Sequence, residues 1–264
     1  MAINATDFKF SNTYLSKMGY IIANFDSPSD DGASCGNIEV ITARPPLSTK
    51  NIIHGVSYGE PIKLTFQILK YDFANCTCSD TPVTDEDYEA IMRWLVRPNY
   101  NYIEFGSGEN KICFNVVMSV IPKRIGSKIC GFEITATNDS VYSYSKEHND
   151  NVLPSTLYNI QDKSSVVGYI YPKLNIKVIN DGDVSIEVFG DKKMIISNCV
   201  AGEILTVDCE HGIIESSLSN HNLSKDFNFE FIRFCNTYYT RDNSLFIINA
   251  NVDIKYRFTR MVVV

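Results

Sequence analysis

Five groups of residues carry side chains able to do chemistry. Asp85, Glu86, Asp87 and Glu89 could supply a general acid and base, but they stand in the first turns of a helix, where negative charge offsets the positive end of the helix dipole. Cys76 and Cys78, with His54 upstream, raise the idea of metal ligation. Their spacing is Cys-x-Cys with no second pair at finger-like separation, so they read as loop thiols. Gly106-Ser-Gly108 lacks the Gly-Lys-Ser/Thr ending of a phosphate-cradling loop and lies between two strand patterns, as a hairpin connection would. Asp26, Asp30 and Asp31 beside Gly32 offer oxygens to calcium without EF-hand spacing or its distal Glu, and read as solvated loop. His54, His148, His211 and His221 are scattered; no Gly-x-Ser-x-Gly elbow occurs and nothing marks a triad. These residues point to a protein that is not an enzyme and holds neither cofactor nor metal.

The elements that must position them are mostly strands. Ile62, Leu64, Phe66 and Ile68 alternate with Lys63, Thr65 and Gln67, which gives a half-buried strand. The same reading covers Ile112, Phe114, Val116, Met118 and Val120, then Phe132, Ile134 and Ala136, with Cys113 and Cys130 as small hydrophobes beside them. Residues 20–25 and 38–42 are shorter candidates. One helix of about 13 residues interrupts this half. Thr84 is its N-cap with Asp87 three residues on, Val83 and Tyr88 form a staple, Pro98 ends the run, and Tyr88, Ile91, Met92 and Leu95 make an apolar stripe. Trp94 lies off that stripe and reads either as a core residue beside the sheet or as an interface anchor.

Residues 138–165 dissolve into turn and loop types, which places a domain boundary near Asp150 and predicts domains 1–148 and 149–264. Strands then resume. Leu174, Ile176 and Val178, the turn Asn180-Asp-Gly-Asp183, and Val184, Ile186 and Val188 predict a hairpin. Further strands are expected at 193–197, 203–210, 212–216 and 227–234. A long last strand should carry Phe246, Ile248, Ala250, Val252, Ile254, Tyr256 and Phe258 on one face. The fold class is mainly β: a sandwich-like first domain with one helix, then a β-sandwich or jelly roll.

Composition narrows the function. The 264 residues carry 24 basic and 31 acidic side chains, a net charge of −7, which disfavours binding nucleic acid through a broad cationic surface. Neither half hides a basic domain, with 13 basic and 18 acidic residues through Asp150 and 11 and 13 after it. Eight cysteines follow a start without the basic and apolar regions of a signal peptide, so reduced thiols in a reducing cytoplasm are expected, and the sequons at Asn4, Asn75, Asn138 and Asn222 carry no meaning there. No apolar stretch is long enough for membrane insertion.

Several ordered segments resemble the distal tail proteins of long non-contractile-tailed bacteriophages. These are Phe8-Lys-Phe10, Met18-Gly-Tyr-Ile-Ile22, Glu60-Pro-Ile-Lys-Leu-Thr-Phe66, the helix end Met92-Arg-Trp-Leu95, Asn101-Tyr-Ile-Glu-Phe105 and the run from Gly131 to Tyr142. Pro172-Lys-Leu-Asn-Ile176, the Asn180 turn, Leu205-Thr-Val-Asp208 and Ile254-Lys-Tyr-Arg257 resemble that family's galectin-like second domain. Each segment alone is generic; their order and spacing cover nearly the whole chain.

The resemblance implies a belt domain that closes six copies into a ring below the tail tube, with a galectin-like jelly roll projecting outward. Its implied partners are other copies of itself, the tail tube protein, a tail-tip or tail-associated lysin-like protein and receptor-binding proteins, in a virion tail assembled in the host cytoplasm. A ring needs two different surfaces of one subunit to meet. Arg44, Pro45 and Pro46, and the loop carrying Phe73, Cys76 and Cys78, are the candidate contacts because they interrupt strand patterning. The alternative is a carbohydrate-binding protein that stacks sugars on Tyr169, Tyr171, Tyr238 and Tyr239 of the second domain.

Overall fold

The computed structural model describes residues 6–26, 38–75, 77–78, 82–108, 111–237 and 241–261. The chain forms two compact units, one of residues up to Lys146 together with those from Arg260 onward, the other Glu147–Thr259.

The first unit is built on a ten-stranded antiparallel sheet. Its main path runs Thr13–Tyr14, Phe8–Phe10, Asn101–Phe105, Ile112–Ile125, Lys128–Asn138, Lys63–Asp72 and Tyr20–Asp26. The register aligns the apolar alternation: Ile134 sits between Phe66 and Val120, and Ala136 between Leu64 and Met118, so one face of these strands becomes a continuous buried surface. Gly131 follows a bulge in this pairing, and a Cβ there would run into the Ile68 carbonyl, so the position requires glycine. Gly106 and Gly108, both at positive φ, follow the strand Asn101–Phe105, which pairs with Ile112–Ile125 in the expected hairpin.

The helix spans Asp85–Leu95 and starts with a capping box: the Asp87 N–H donates to Thr84 Oγ1 and the Thr84 N–H to Asp87 Oδ2, each 3.1 Å. Lys70 binds the same Asp87 carboxylate at 2.7 Å and holds its pKa below the usual range, so the acidic run has a structural task. Ile91, Trp94 and Leu95 are buried, with Tyr88 and Met92 packed against the same core. Trp94 takes the core position.

The second unit is a sandwich of two antiparallel sheets. One orders His148–Val152, Ala250–Tyr256, Lys173–Val178, Ile204–Asp208 and Ile213–Ser216; the other orders Leu157–Gln161, Asp242–Ile248, Gly182–Val188 and Lys193–Cys199. Leu174, Ile176 and Val252 from the first sheet share one core with Val184, Ile186 and Ile247 from the second.

Four expectations for this part of the chain are corrected. The strands flanking Asn180 do not pair as a hairpin; Lys173–Val178 and Gly182–Val188 belong to different sheets, and the turn carries the chain between them. Alternation looks the same whether two strands are neighbours in one sheet or face each other across a core. The long last strand is two strands broken at Asn249, which takes φ of 64° and switches the chain from one sheet to the other. Before the break Leu245 and Ile247 point inward, leaving Phe246 half-buried and Ile248 exposed; after it Ala250, Val252 and Ile254 are buried. Residues 227–234 are not a strand, since Phe227 makes one isolated bridge, Phe229 has positive φ, and pairing resumes only at Phe234–Asn236. The stretch 138–165 holds edge strands, His148–Val152 and Leu157–Gln161, each with one neighbour; the polar outer face of the first, and Asn159 and Gln161 on that of the second, read as loop.

Candidate functional site

The first candidate is an exposed hairpin. Ile38–Ala43 and Ile52–Tyr58 pair antiparallel, with Val40 opposite Val56 and a bulge between Ile41 and Thr42. Among the described residues they pair with no other strand. A strand sends successive side chains to opposite faces, so Val40 and Ile41 lie on different sides, and each is about half exposed, 50% and 51%. Ile52, Ile53, Val56 and Tyr58 are exposed as well, and Tyr58 meets Tyr142 edge-on at 6.2 Å. A lone two-stranded hairpin is marginal in water, and one that wets apolar groups on both faces lacks a core of its own.

Arg44, Pro45 and Pro46 stand at the tip of this hairpin. There Arg44 Nε donates to Asn51 Oδ1 at 3.1 Å, and Leu47, at φ of 65°, is fully exposed. Phe73 lies elsewhere, just beyond the strand Lys63–Asp72, exposed and edge-on to Tyr71 at 4.9 Å. Asp72 caps that loop by accepting from the Ala74 N–H at 2.9 Å and from Asn75 Nδ2 at 2.7 Å. Cys76 lies outside the described residues, as do Asp30, Asp31 and the Cys78 side chain; Cys78 pairs through its backbone with Tyr71. His54 is exposed on the second hairpin strand.

In the second unit Tyr169 and Tyr171 come together, with ring centroids 6.5 Å apart and both rings exposed. The Arg233 guanidinium lies 3.9 Å over the Tyr169 ring and grips Asp191 through two hydrogen bonds of 2.8 and 2.9 Å. One face of Tyr169 is therefore already stacked. Tyr238 and Tyr239 lie outside the described residues.

The third cluster left no sequence signal. Cys199 ends one strand, Glu203 follows the turn after it, and His221 precedes a short helix, Leu223–Asp226; their spacing matches no ligand motif. A ligand atom from each lies within 4.8 Å of the other two. His221 Nδ1 is 2.6 Å from Glu203 Oε1, and its Nε2 is 3.0 Å from the Ser197 carbonyl. Ser216 Oγ and the Val200 N–H also donate to the Glu203 carboxylate. Burial opposes charge on both partners, but their mutual contact prevails: the Glu203 pKa is held below its ordinary value and the His221 pKa above it. Burial, reinforced by Glu203, Asp183 and Asp226, pushes the Cys199 thiol up to about 11.

Comparison with known proteins places this architecture. The family described as phage tail protein N-terminal domain matches residues 3–140, and that described as phage tail C-terminal domain matches 141–257. No curated protein matches the chain. Among solved structures it is similar to the Dit (gp 19.1) protein of SPP1, a hub adsorption apparatus protein of phages infecting Gram-positive hosts, with TM-score 0.61 and 10% identity over 96% of this chain and 98% of that one. It is also similar to a chain of the phage P2 baseplate in its activated conformation with calcium, with TM-score 0.58 and 9% identity over 96% and 97% of the two chains. At such identities the likeness is one of fold. The two family matches together take in nearly every residue, and the chain belongs to the phage tail protein family.

Proposed function

We propose that this protein is a structural subunit of a phage tail-tip hub. Copies of it close into a ring, expected to be a hexamer, that joins the tail tube protein to a tail-tip or lysin-like protein and supports receptor-binding proteins. On this reading the first unit forms the belt, the second unit, Glu147–Thr259, forms a galectin-like domain, and assembly takes place in the host cytoplasm. The role is architectural, with no catalytic step. One observation carries the ring: a two-stranded hairpin, apolar on both faces, in a member of a tail protein family. Among the described residues no other strand pairs with this hairpin and its apolar side chains stay exposed, so another chain can supply its core, and a subunit that offers it to a different surface of the next copy assembles head to tail and can close. Arg44, Pro45 and Pro46 at its tip belong to this contact, and Phe73 with Cys76 and Cys78 supplies a second candidate surface.

Negative-stain imaging of the purified full chain at high concentration tests the proposal. Closed six-fold rings are expected; particles that remain single subunits, also with tail tube and tip proteins added, would refute it. The carbohydrate-binding reading is weaker, because Arg233 already covers one face of Tyr169 and leaves Tyr171 as the freer stacking surface. Specific binding on a glycan array, lost in Tyr171→Ala, would revive it.

A further inference from the structure

The geometry points to a site for a zinc-class transition-metal ion in the second unit, ligated by Cys199 Sγ, the Glu203 carboxylate and His221 Nδ1. Three kinds of ligand from three segments converge within 4.8 Å. Bonds of about 2.0–2.3 Å in a tetrahedral zinc site hold ligand atoms roughly 3.3–3.8 Å apart, so binding requires the Nδ1–Oε1 contact to open from 2.6 Å and separations of up to 4.8 Å to close by about 1 Å, within the reach of side-chain rotation.

The surrounding hydrogen bonds orient the ligands as a metal requires. The Ser197 carbonyl can only accept, so Nε2 carries a proton and Nδ1 is the nitrogen that faces Glu203. An unprotonated Nδ1 and a carboxylate oxygen cannot stay 2.6 Å apart unless a cation, proton or metal, lies between them. Ser216 and Val200 fix the carboxylate from behind. A proton bridge alone gives the thiol no part in the His221–Glu203 pair; Cys199 Sγ donates to the Ile196 carbonyl at 3.4 Å and is contacted by the Val184 backbone.

Electrostatics favour the same occupant. Glu203, Asp183 and Asp226 all act on Cys199, and His221 faces two of them, Glu203 through Nδ1 and Asp226 at 3.7 Å from Nε2. The field that resists a thiolate attracts a cation. Exchange is neutral within the ligand set: an imidazolium, a carboxylate and a thiol sum to zero, as do a divalent ion, a neutral imidazole, a carboxylate and a thiolate. Binding therefore displaces two protons, one from Nδ1 and one from Sγ, and needs no other reactant. Thiolate with imidazole selects zinc or cobalt over magnesium or calcium. The ion would staple the strand Lys193–Cys199 to the turn at Glu203 and the segment before Leu223–Asp226, whether or not the subunits form rings.

The full chain, stripped by chelator, is titrated with zinc and separately with cobalt. One equivalent should bind with release of about two protons at neutral pH, and cobalt should show thiolate charge-transfer absorption. Cys199→Ser and Cys199→Ala, verified as folded by circular dichroism, should abolish that absorption, whereas Cys76→Ser/Cys78→Ser should retain it. Ser216→Ala should weaken zinc affinity about 10- to 100-fold. Absence of stoichiometric binding in the wild-type chain, or binding that survives loss of Cys199, would overturn the assignment.

Discussion

Trp94 lies flat on Phe8, with ring planes 6° apart and centroids at 5.7 Å, while its indole N–H donates to the Phe10 carbonyl at 3.2 Å. One side chain thus ties the helix to the strand Phe8–Phe10 through both stacking and a buried hydrogen bond, and it is not an anchor for a partner. Trp94→Ala should cost about 3–5 kcal/mol of stability. Trp94→Phe should cost about 1–2 kcal/mol, because the carbonyl loses its donor while much of the stack survives. Chemical denaturation checks both, and a stable Trp94→Ala protein that fails only in assembly would contradict the core assignment.

Asn249 deserves a test of its own because it holds the sheet switch in two ways. Its φ of 64° is accessible to Asn and Gly but strained for β-branched residues, and its side chain accepts from the Asn180 N–H at 3.0 Å and donates to the Asn180 carbonyl at 2.8 Å. Asn249→Gly should lose the hydrogen bonds alone, about 1 kcal/mol, and Asn249→Val should lose about 2–4 kcal/mol through added strain. Equal effects of the two substitutions on urea unfolding would exclude backbone strain as the cause.

Acid stability should depend on Asp208. Burial would raise its pKa, but Lys173 at 2.8 Å and the His211 backbone and side chain outweigh that effect and bring it down to about 2, from 3.8 when unfolded. A depressed carboxylate stabilises the fold above its unfolded pKa, and the contribution disappears as pH falls from about 4 towards 2. After allowance for solvent screening the amount is about 1–2 kcal/mol. Lys173→Met should reduce stability at pH 6 and flatten its fall between pH 4 and pH 2, as read from urea midpoints across that range.

How far the sequence reveals this molecule depends on whether neighbours or distant partners decide. The Thr84 capping box, the apolar stripe of the helix and the alternation around Phe66, Phe114 and Ile134 are local, and each appears in the fold as read. The Asn180 turn and the strand break at Asn249 are not local: alternation says that Val178 and Val184 are buried, but not that they belong to different sheets. His148–Val152 is polar on its outer face, and an edge strand of that kind resembles a loop until its partner Ala250–Tyr256 is known. The candidate surfaces behave likewise. Arg44-Pro45-Pro46 is visible as a rigid interruption, but the apolar residues beside it imitate a buried strand, and only the fold shows them uncovered. Cys199, Glu203 and His221 meet through tertiary packing at no fixed spacing.

The central claim is that the hairpin Ile38–Ala43/Ile52–Tyr58 joins subunits. Ile41→Lys/Ile53→Glu alters exposed side chains, so its effect on subunit stability should be small, within about 1 kcal/mol. Sedimentation velocity of the wild-type chain and this variant over a range of concentrations is the most direct test. The account predicts a closed oligomer, expected at six subunits, for the wild type and a folded monomer for the variant. A wild type that is monomeric at every concentration, or a variant that assembles as well as the wild type, would contradict it.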